Sequence, residues 1–391
     1  MQKSLEKTVK LYEEDAYNKE FEAVVMSCEK DKDRYLVSLD RTAFYPEGGG
    51  QPADTGYIAG IRVTDTQEKD GIIYHYTENP LEPGISVQCS IDWKRRFSNM
   101  QQHSGEHILS GIIVQLSGFD NVGFHIGSEF VTLDYNGPLT DEILKEAESR
   151  ANSAIYANLP VNVRVYSNEE IIDVDYRSKK EIEGPVRIVE VPGCDRCACC
   201  GTHVARAGEI GIIKIIKAQN YKGGTRVYIL CGIRALEHFR GALESVDKIS
   251  TLLSARPDQV FEATAQLLEE SEEQKSRIAG LQTKLFEIMA EQVENEFDGN
   301  IYTTIMDDLS ADELRQYALI LVEKVGTCLL FSTNANEGYR YACASSEIDC
   351  REITVNLNKT LEGRGGGTPK LTQGAVKSGR EKIESFIASL T

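Results

Sequence analysis

Two pairs of potential metal ligands stand out in the sequence, and each pair has a four-residue spacing. His103 and His107 lie in QQHSGEHILS, where apolar residues recur at helical intervals. On a helix, this spacing puts both imidazoles on one face, where they can hold a single ion. Cys199 and His203, in CCGTHV, add a thiolate and a third imidazole. A Cys-His₃ set favours zinc among the borderline-soft ions.

The choice of cysteine stays open, because Cys194, Cys197 and Cys200 are neighbours of Cys199. Any of them could replace Cys199 or join a separate thiolate cluster. A closed set of four ligands also suits a structural ion, whereas catalysis needs an open position for water or substrate. Catalysis would therefore require a labile ligand or an expanded coordination shell.

A glycine run upstream of these pairs is a second candidate feature. In RTAFYPEGGGQPADTG, Gly48, Gly49 and Gly50 permit positive φ and let a ligand approach the backbone closely. The alternative is a plain surface turn. The segment lies in residues 1–90, where short apolar runs alternate with turn residues and predict a β-barrel-like N-terminal domain.

Residues 91–235 predict an α+β domain that positions the ligand pairs. Ser98 followed by Gln101 has the pattern of a capping box and predicts the start of the helix that carries His103. A second helix is predicted over residues 141–158, and strands at VNVRVYS and VRIVEV precede the cysteine-rich loop. The NYKGG turn then joins GIIKIIKAQ and TRVYILCG as a hairpin.

The rest of the chain divides into a helical segment, residues 236–297, and a C-terminal α/β domain, residues 298–391. Pro257 is preset for the first turn of a long helix ending near Phe297. Apolar residues at seven-residue intervals along it favour helical pairing, either in a homodimer or within the chain. The predicted fold class is therefore α+β. The order along the chain is a β-barrel-like N-terminal domain, a zinc-containing α+β domain, a helical segment and a C-terminal α/β domain.

The charge balance limits how nucleic acid can bind. With 43 basic and 61 acidic residues the formal net charge is −18, so an RNA partner must meet local basic patches. Candidates include Lys214 with Lys217 and Lys222 with Arg226. In the tail, Arg364 and Lys370 flank a further glycine run and are predicted to contact tRNA phosphates.

The composition predicts a folded protein of the cytoplasm. Hydrophobic residues make up 41% and charged residues 27% of the chain, as in globular domains. Apolar stretches end short of a membrane span, and the first residues are too acidic for a signal or transit peptide. Ten cysteines in a long chain without an export signal predict reduced thiols.

The order of four motifs resembles the editing domain of alanyl-tRNA synthetases and their freestanding relatives, the AlaX-type editing proteins. The motifs are TAFYPEGGGQPADTG, QHSGEHILS, CCGTHVARAGEIGIIKI and KGGTRVYILCG. The resemblance covers almost the whole chain and implies zinc at His103, His107, Cys199 and His203. The tail with GRGGGTPK resembles the synthetases' C-terminal, DHH-associated domain, which contacts tRNA and supports dimers.

Two departures from the synthetases bear on this resemblance. The similarity begins near Met1, so an aminoacylation core is not expected and the long freestanding form is the expected match. Synthetase members commonly have CGGTH, whereas Cys200 here replaces the first glycine. This replacement keeps an exchange of cysteine ligands conceivable.

The resemblance implies a hydrolase that removes serine, and as a second candidate glycine, from mischarged tRNA(Ala). Zinc would polarise the ester carbonyl or activate a bound water. Thr42 and Gln51 flank the glycine run and are the candidate catalytic residues that read the serine hydroxyl, which alanine lacks. For Thr42 the alternative is a strand residue bonded to its own backbone.

Two other function classes compete with the editing hypothesis. One is a noncatalytic tRNA-binding protein in which zinc only holds the loop to the helix. An open coordination position on the zinc would favour the hydrolase over this alternative. The other is a phosphoesterase, suggested by the DHH association, although the chain contains no DHH motif.

Overall fold

The computed structural model describes residues 7–178, 184–333 and 338–390. The chain divides into two compact units, Met1–Val246 and Asp247–Thr391. Both mix helices and strands, which confirms the predicted α+β class. The predicted division at residues 90, 235 and 297 is finer than this and stays a prediction.

The first unit begins with a β-barrel. Its elements are β1 (Val9–Lys10), α1 (Leu11–Glu14), β2 (Glu20–Asp31), β3 (Arg34–Leu39), β4 (Arg41–Thr42), β5 (Gly56–Ile58), β6 (Ile61–Lys69), β7 (Ile72–Thr77) and β8 (Ser86–Ile91). Six of these strands close in the order β2-β3-β7-β6-β5-β8. Alternate residues of β2, such as Phe21, Ala23 and Val25, point into the barrel core, as the two-residue period of a strand requires.

The second part of this unit surrounds one buried helix. Its elements are α2 (Trp93–Ser117), β9 (Asn121–Ile126), β10 (Val131–Tyr135), α3 (Asp141–Tyr156), β11 (Asn162–Tyr166), β12 (Val186–Val191), β13 (Asp195–Ala198), β14 (Ile213–Tyr221) and β15 (Gly224–Cys231). The strands form two sheets, β14-β15-β10-β9 and β11-β12-β13. Apolar residues of α2, α3 and the four-stranded sheet share one core.

The predicted start of the ligand-bearing helix was wrong by five residues. Helix α2 begins at Trp93, so Ser98 lies inside the helix and caps nothing. Trp93 and Phe97 pack against the hydrophobic core, and this extends the apolar face upstream of Ser98. The predicted hairpin turn is confirmed, with positive φ at Lys222 and Gly223.

Helix α4 (Gly232–Leu253) crosses the boundary between the units. The second unit then contains α5 (Val260–Glu296), β16 (Tyr302–Met306), α6 (Ala311–Val325), β17 (Thr327–Thr333), β18 (Tyr339–Ser345), α7 (Cys350–Thr360), β19 (Gly363–Thr368), β20 (Leu371–Val376) and α8 (Arg380–Ala388). Its sheet has the order β16-β17-β18-β20-β19. Helices α5 and α6 pack on one face, and α7 and α8 pack on the other.

Candidate metal centre

Helix α2 holds His103 and His107 on its buried side, one helical turn apart. Their ring centroids are 5.3 Å apart, and both side chains are almost fully enclosed. The helix is fixed to the barrel by Arg96, whose buried guanidinium contacts Asp54 and donates to the carbonyl of Ala16 at 2.9 Å. A buried charge of this kind needs such complete pairing. The first ligand pair is thus set on a helix that cannot shift without breaking these bonds.

The loop after β13 brings Cys199 and His203 to the same place. Arg187 of β12 donates to the carbonyl oxygens of Cys199 at 2.7 Å and Gly201 at 3.0 Å, which holds the loop against the sheet. Gly201 lies so close to His103 that a β-carbon there would stand 2.1 Å from the ring atom Cε1. A glycine is therefore required at Gly201, the second glycine position of the CGGTH motif. The first glycine position is occupied by Cys200, which is exposed.

The ligand atoms of His103, His107, Cys199 and His203 all lie within 4.8 Å of one another. The Cys199 Sγ atom is 3.4 Å from Nε2 of His103 and 3.4 Å from Nε2 of His203. In a tetrahedral zinc site with ordinary bond lengths, sulfur and nitrogen ligands are about 3.5 Å apart. The four residues therefore fit a zinc ion in both donor chemistry and spacing.

Each of the three histidines has its Nδ1 atom bonded to a different side chain. Nδ1 lies 2.8 Å from Gln51 Oε1 in His103, 3.1 Å from Asp195 Oδ2 in His107 and 3.1 Å from Ser104 Oγ in His203. Such partners fix the ring orientation and tautomer of metal-binding histidines. Here they leave the Nε2 atoms of His103 and His203 facing Cys199.

Asp195 is itself held by a buried ion pair. Arg177 donates to its two carboxylate oxygens at 2.7 and 2.9 Å. Burial opposes ionisation of Asp195, but hydrogen bonds from His107 and Arg177 outweigh it and lower the pKa of the carboxyl group. An ionised Asp195 is the partner that an Nδ1 proton of His107 requires.

The pKa shifts of Cys199 and His203 favour metal binding, whereas that of His107 opposes it. Burial raises the pKa of the Cys199 thiol, but the three imidazoles outweigh burial and bring this pKa well below its usual value. For His203, burial and the neighbouring His103 lower the pKa to about 3, so the ring is neutral. For His107, the Cys199 thiolate and Asp195 overcome burial and raise the pKa. A thiolate and neutral imidazoles are the forms that bind zinc, so Cys199 and His203 already have the required form, whereas zinc would have to displace a proton from His107.

The other cysteines of the loop lie elsewhere. Cys197 is buried and groups with His107 and Asp195, while Cys194 is buried outside both groups. Within the described ranges, no set of three ligands includes two of these cysteines. The geometry therefore favours Cys199 as the sulfur donor, and its assignment as a ligand stays a prediction.

The structure places Gln51 at the metal centre, but as a residue that orients others. Its Oε1 also accepts from the Thr202 amide at 3.2 Å, and its Nε2 donates to the Thr202 hydroxyl at 2.8 Å. Gln51 thus ties the glycine run to both ligand pairs through His103 and Thr202. Its predicted contact with substrate stays a prediction, since these bonds occupy both ends of the amide.

Thr42 lies in the barrel wall beside His75 and is fully buried. The Nδ1 atom of His75 lies 3.0 Å from the Val37 carbonyl, which can only accept, so Nδ1 carries the proton. The Thr42 hydroxyl therefore donates to His75 Nε2 at 2.9 Å and accepts from the Phe44 amide at 3.1 Å. One lone pair remains on the hydroxyl. Among the described residues, no hydrogen bond joins Thr42 to the four ligands.

No role at the metal centre was predicted from the sequence for Glu106, Asp195, Arg177 or Ser104. Glu106 Oε2 lies 3.9 Å from His107 Nε2, and Oε1 accepts from Asn121 at 3.0 Å. An acidic residue inside the cysteine cluster was the only sequence signal for Asp195. Nothing in the sequence pairs Asp195 with His107, since 88 residues separate them.

A cleft of about 400 Å³ lies beside the glycine run and is lined by Glu47, Gly48–Gly50, Gln67 and His125. The run is docked on β9, because the Gly50 carbonyl accepts from the Ile126 amide at 2.8 Å. Gly50 has a φ of +84°, and a β-carbon there would lie 2.5 Å from the Phe124 carbonyl oxygen. The predicted close approach at this glycine is therefore made by the protein's own strand.

Two family models match parts of the chain. Residues 3–95 match the model of class II (A) tRNA synthetases, and residues 186–228 match the second additional domain of threonyl and alanyl tRNA synthetases. In the described part of the chain, no helix is long and apolar enough to cross a membrane.

Two relatives agree with these matches, and one solved domain shows a weak likeness that adds no support. The alanyl-tRNA editing protein AlaX-L of Pyrococcus horikoshii is 33% identical over 96% of this chain and 96% of its own length. The alanine–tRNA ligase of Pyrococcus abyssi is 29% identical over 99% of this chain but only 44% of the ligase. The C-Ala domain of Aquifex aeolicus alanyl-tRNA synthetase has 21% identity, covering 23% of this chain and 86% of that domain, at a TM-score of 0.22.

A closed barrel followed by a buried His₃Cys centre defines a protein of the class related to synthetase editing domains. Within that class, the chain belongs to the freestanding alanyl-tRNA editing proteins of the AlaX long form.

Proposed function

We propose that this protein is a zinc-dependent hydrolase that removes serine from mischarged tRNA(Ala), with glycyl-tRNA(Ala) as a second substrate. The observation that carries the proposal is the buried cluster of three imidazoles and one thiolate within 4.8 Å. The similarity to an alanyl-tRNA editing protein over 96% of both chains supports the same reaction.

His103, His107, Cys199 and His203 would hold the zinc ion. When bound, zinc supplies either a polarised ester carbonyl or a water whose pKa is lowered toward neutrality. Gln51, Ser104 and Asp195 keep the imidazole rings in their ligand orientation. Burial of the cluster excludes bulk water, which strengthens the electrostatic stabilisation of a developing oxyanion.

Substrate selection requires a polar contact, because alanine is smaller than serine and enters any pocket that serine enters. In the proposal the serine hydroxyl donates to the remaining lone pair of Thr42. Alanine leaves this acceptor without a partner, and a site built for a hydroxyl rejects the analogue that lacks it. Gln51 contributes by holding His103.

A noncatalytic, zinc-stapled tRNA-binding protein is the second candidate. The four grouped residues supply as many ligands as a closed tetrahedral zinc site needs, and this favours a structural ion. In that case the zinc would fasten the loop after β13 to α2, and the protein would bind tRNA without hydrolysing the ester.

Incubation of the purified protein with seryl-tRNA(Ala) and alanyl-tRNA(Ala) separates the two candidates. The editing hydrolase releases serine much faster than alanine, and chelation of zinc stops the release. Binding of tRNA without release of either amino acid would support the second candidate. Equal rates on both substrates would rule out the editing function.

The C-terminal unit would add affinity for tRNA. Arg364 on β19 and Lys370 in the following turn are exposed, whereas Gly365 packs against the Tyr341 hydroxyl. Exposed apolar residues of α5, including Phe261 and Leu281, fit the proposed homodimer through the helical region. The proposed setting is the cytoplasm, where charged tRNA is used.

Charge reversal tests the tail. Arg364→Glu with Lys370→Glu should weaken tRNA binding severalfold and flatten its salt dependence, because phosphate contacts release counterions. The matched control reverses the charge of two other exposed residues of this unit, Arg315→Glu with Lys359→Glu. Unchanged affinity and salt slope in the tail variant would remove the tail from the tRNA contact.

A further inference from the structure

Four residues form one straight row across the sheet β14-β15-β10-β9. Lys217 pairs with Tyr228, Tyr228 with Thr132, and Thr132 with His125, so the row crosses all four strands. We call it the Lys217 row. With strands about 4.8 Å apart, it spans about 14 Å. It lies on the outer face of the sheet, because the alternate residues of β10 and β15 point into the core shared with α2.

The Lys217 row combines a cation with aromatic rings. The Lys217 ammonium lies 4.5 Å from the centroid of the Tyr228 ring, and the centroids of the Phe130 and Tyr228 rings are 6.1 Å apart. Lys217 forms no ion pair with any carboxylate of the described residues, whereas Arg226 on the same face is neutralised by Asp134 at 2.6 Å. In a chain of net charge −18, this face offers positive charge beside partly exposed aromatic rings.

The row leads to the cleft beside the glycine run. It ends at His125 on β9, the edge strand against which Gly50 is docked by the 2.8 Å bond from the Ile126 amide. His125 and the glycine run line the cleft of about 400 Å³. The next residue, Gln51, lines the same cleft and binds His103 at 2.8 Å. A ligand lying along the row therefore ends in this cleft, and Gln51 separates the cleft from His103.

We propose that the Lys217 row and the adjoining cleft bind the unpaired 3′ end of an RNA, with the terminal nucleotide in the cleft. The inference rests on the proposed function, since it supplies the path by which the esterified end reaches the metal centre. Aromatic side chains stack on unpaired bases without regard to sequence, and a lysine neutralises the backbone. The exposed backbone at Gly49, where a β-carbon would meet no atom within 4 Å, leaves room for the terminal ribose.

The test measures binding of two stem-loop RNAs, one with four unpaired 3′ nucleotides and one blunt, by fluorescence anisotropy with the label at the loop. Neither RNA carries an amino acid, so hydrolysis plays no part. Tyr228→Ala and His125→Ala should each weaken binding of the tailed RNA about tenfold, the usual size for loss of one stacked base. Lys217→Gln should lower the salt slope by about 0.7, the value for one phosphate of a single strand.

Matched controls come from helix α3. Tyr156→Ala removes a tyrosine that is 77% exposed, and Lys145→Gln removes an exposed lysine. Neither should change the affinity for either RNA. All variants should keep the zinc content of the wild type, which shows that the unit is folded.

The outcomes separate this proposal from the proposed function. Weaker binding of the tailed RNA alone supports the row, even if the wild type hydrolyses no ester. Unchanged binding in all three variants overturns the row, even if the wild type hydrolyses seryl-tRNA. Equal losses on tailed and blunt RNA would also overturn it. A change of oligomeric state in Tyr228→Ala with RNA binding intact would assign the face to contact between copies of this chain.

Discussion

His75 in the barrel and His203 in the loop after β13 are both buried, and burial lowers the pKa of the first to about 4 and of the second to about 3. Both rings are therefore neutral and hydrogen-bonded. They differ in where Nε2 points. In His75 it accepts from the Thr42 hydroxyl, whereas in His203 it lies 3.4 Å from the Cys199 sulfur.

This difference separates a structural histidine from a candidate metal ligand. His75 has both nitrogens bonded to groups of the barrel wall, so it completes a core. His203 uses only Nδ1 for a neighbour, Ser104, and presents Nε2 to a second potential ligand. Burial and pKa alone would not distinguish the two, because the direction of the second nitrogen decides whether a metal can bind.

The largest expected effect comes from removing the helix pair of ligands. His103→Ala with His107→Ala should reduce the zinc content from close to one ion per chain to nearly none, because two of four donors are lost. Deacylation should be lost with it. Elemental analysis of the purified protein gives the zinc content.

His75→Gln is the matched control for this variant, since it also replaces a buried histidine. It should keep the full zinc content, because His75 is not among the grouped ligands. Full zinc in the double variant would refute the ligand assignment. Loss of zinc in His75→Gln would contradict the assignment of His75 to a purely structural role.

The second prediction concerns the pH dependence of stability. His75 has a folded-state pKa of about 4, below its unfolded value of 6.5, so the unfolded chain binds more protons between these limits. Stability should therefore fall as the pH is lowered from about 6.5 to 4, by about 3 kcal/mol from this residue. Urea unfolding of the wild type and His75→Gln measures it.

The quantity to compare is the loss of unfolding free energy between pH 6.5 and pH 4 in the two proteins. Release of zinc in acid lowers the stability of both and cancels in this comparison. His75→Gln should lose less stability than the wild type over this pH range. Parallel loss in both proteins would show that His75 is protonated in the folded state as readily as in the unfolded chain.

The third prediction tests the partners of the imidazole rings. Asp195→Asn should weaken zinc binding 10- to 100-fold, about the usual effect of losing such a partner. The reason is that an uncharged amide holds the Nδ1 proton of His107 less strongly. Competition with a chelator measures the affinity.

Asp134→Asn is the control, since it removes a carboxylate that pairs with Arg226 on the outer face of the sheet. It should leave zinc affinity unchanged. If Asp195→Asn binds zinc as tightly as the wild type, the orientation of His107 is set by packing and not by its carboxylate partner.

The sequence predicted the grouping of the two residue pairs and most elements for separate physical reasons, and the role of the pairs as metal ligands stays a prediction. Four-residue spacing on a helix carries His103 and His107 to one face, and this needs no tertiary information. The capping box at Ser98 failed because Trp93 and Phe97 bury against the core and lengthen α2. Local signals therefore located the helix face but not its first turn.

The residues that orient the ligands could not be predicted from local patterns. Gln51 lies 52 residues from His103 and Asp195 lies 88 residues from His107, so only the folded barrel and sheet bring them together. The role predicted for Gln51, reading substrate, was inferred from its place beside the glycine run. In the fold, this position directs the Gln51 amide toward His103 and Thr202.

The smallest expected effect tests the partner of His75. Thr42→Val keeps the side-chain shape and removes a hydroxyl that donates to His75 and has one lone pair left. If that lone pair accepts from the serine hydroxyl, the variant should deacylate seryl-tRNA about tenfold more slowly, a loss of about 1.4 kcal/mol within the usual range for a hydrogen bond. The slow rate on alanyl-tRNA should stay the same, because alanine has no hydroxyl to lose.

Thr77→Val is the control for Thr42→Val, since Thr77 is equally buried in the barrel and donates only to the Asn79 carbonyl. Both variants should lose stability, because each leaves a barrel group without its partner. Only Thr42→Val should change the ratio of the two deacylation rates, which single-turnover assays at saturating enzyme measure. If the two rates fall equally in Thr42→Val, the hydroxyl supports the barrel through His75 and does not read the substrate. Thr42 would then belong with His75 among the residues that complete a core, and discrimination against alanine would have to come from a group nearer the metal centre.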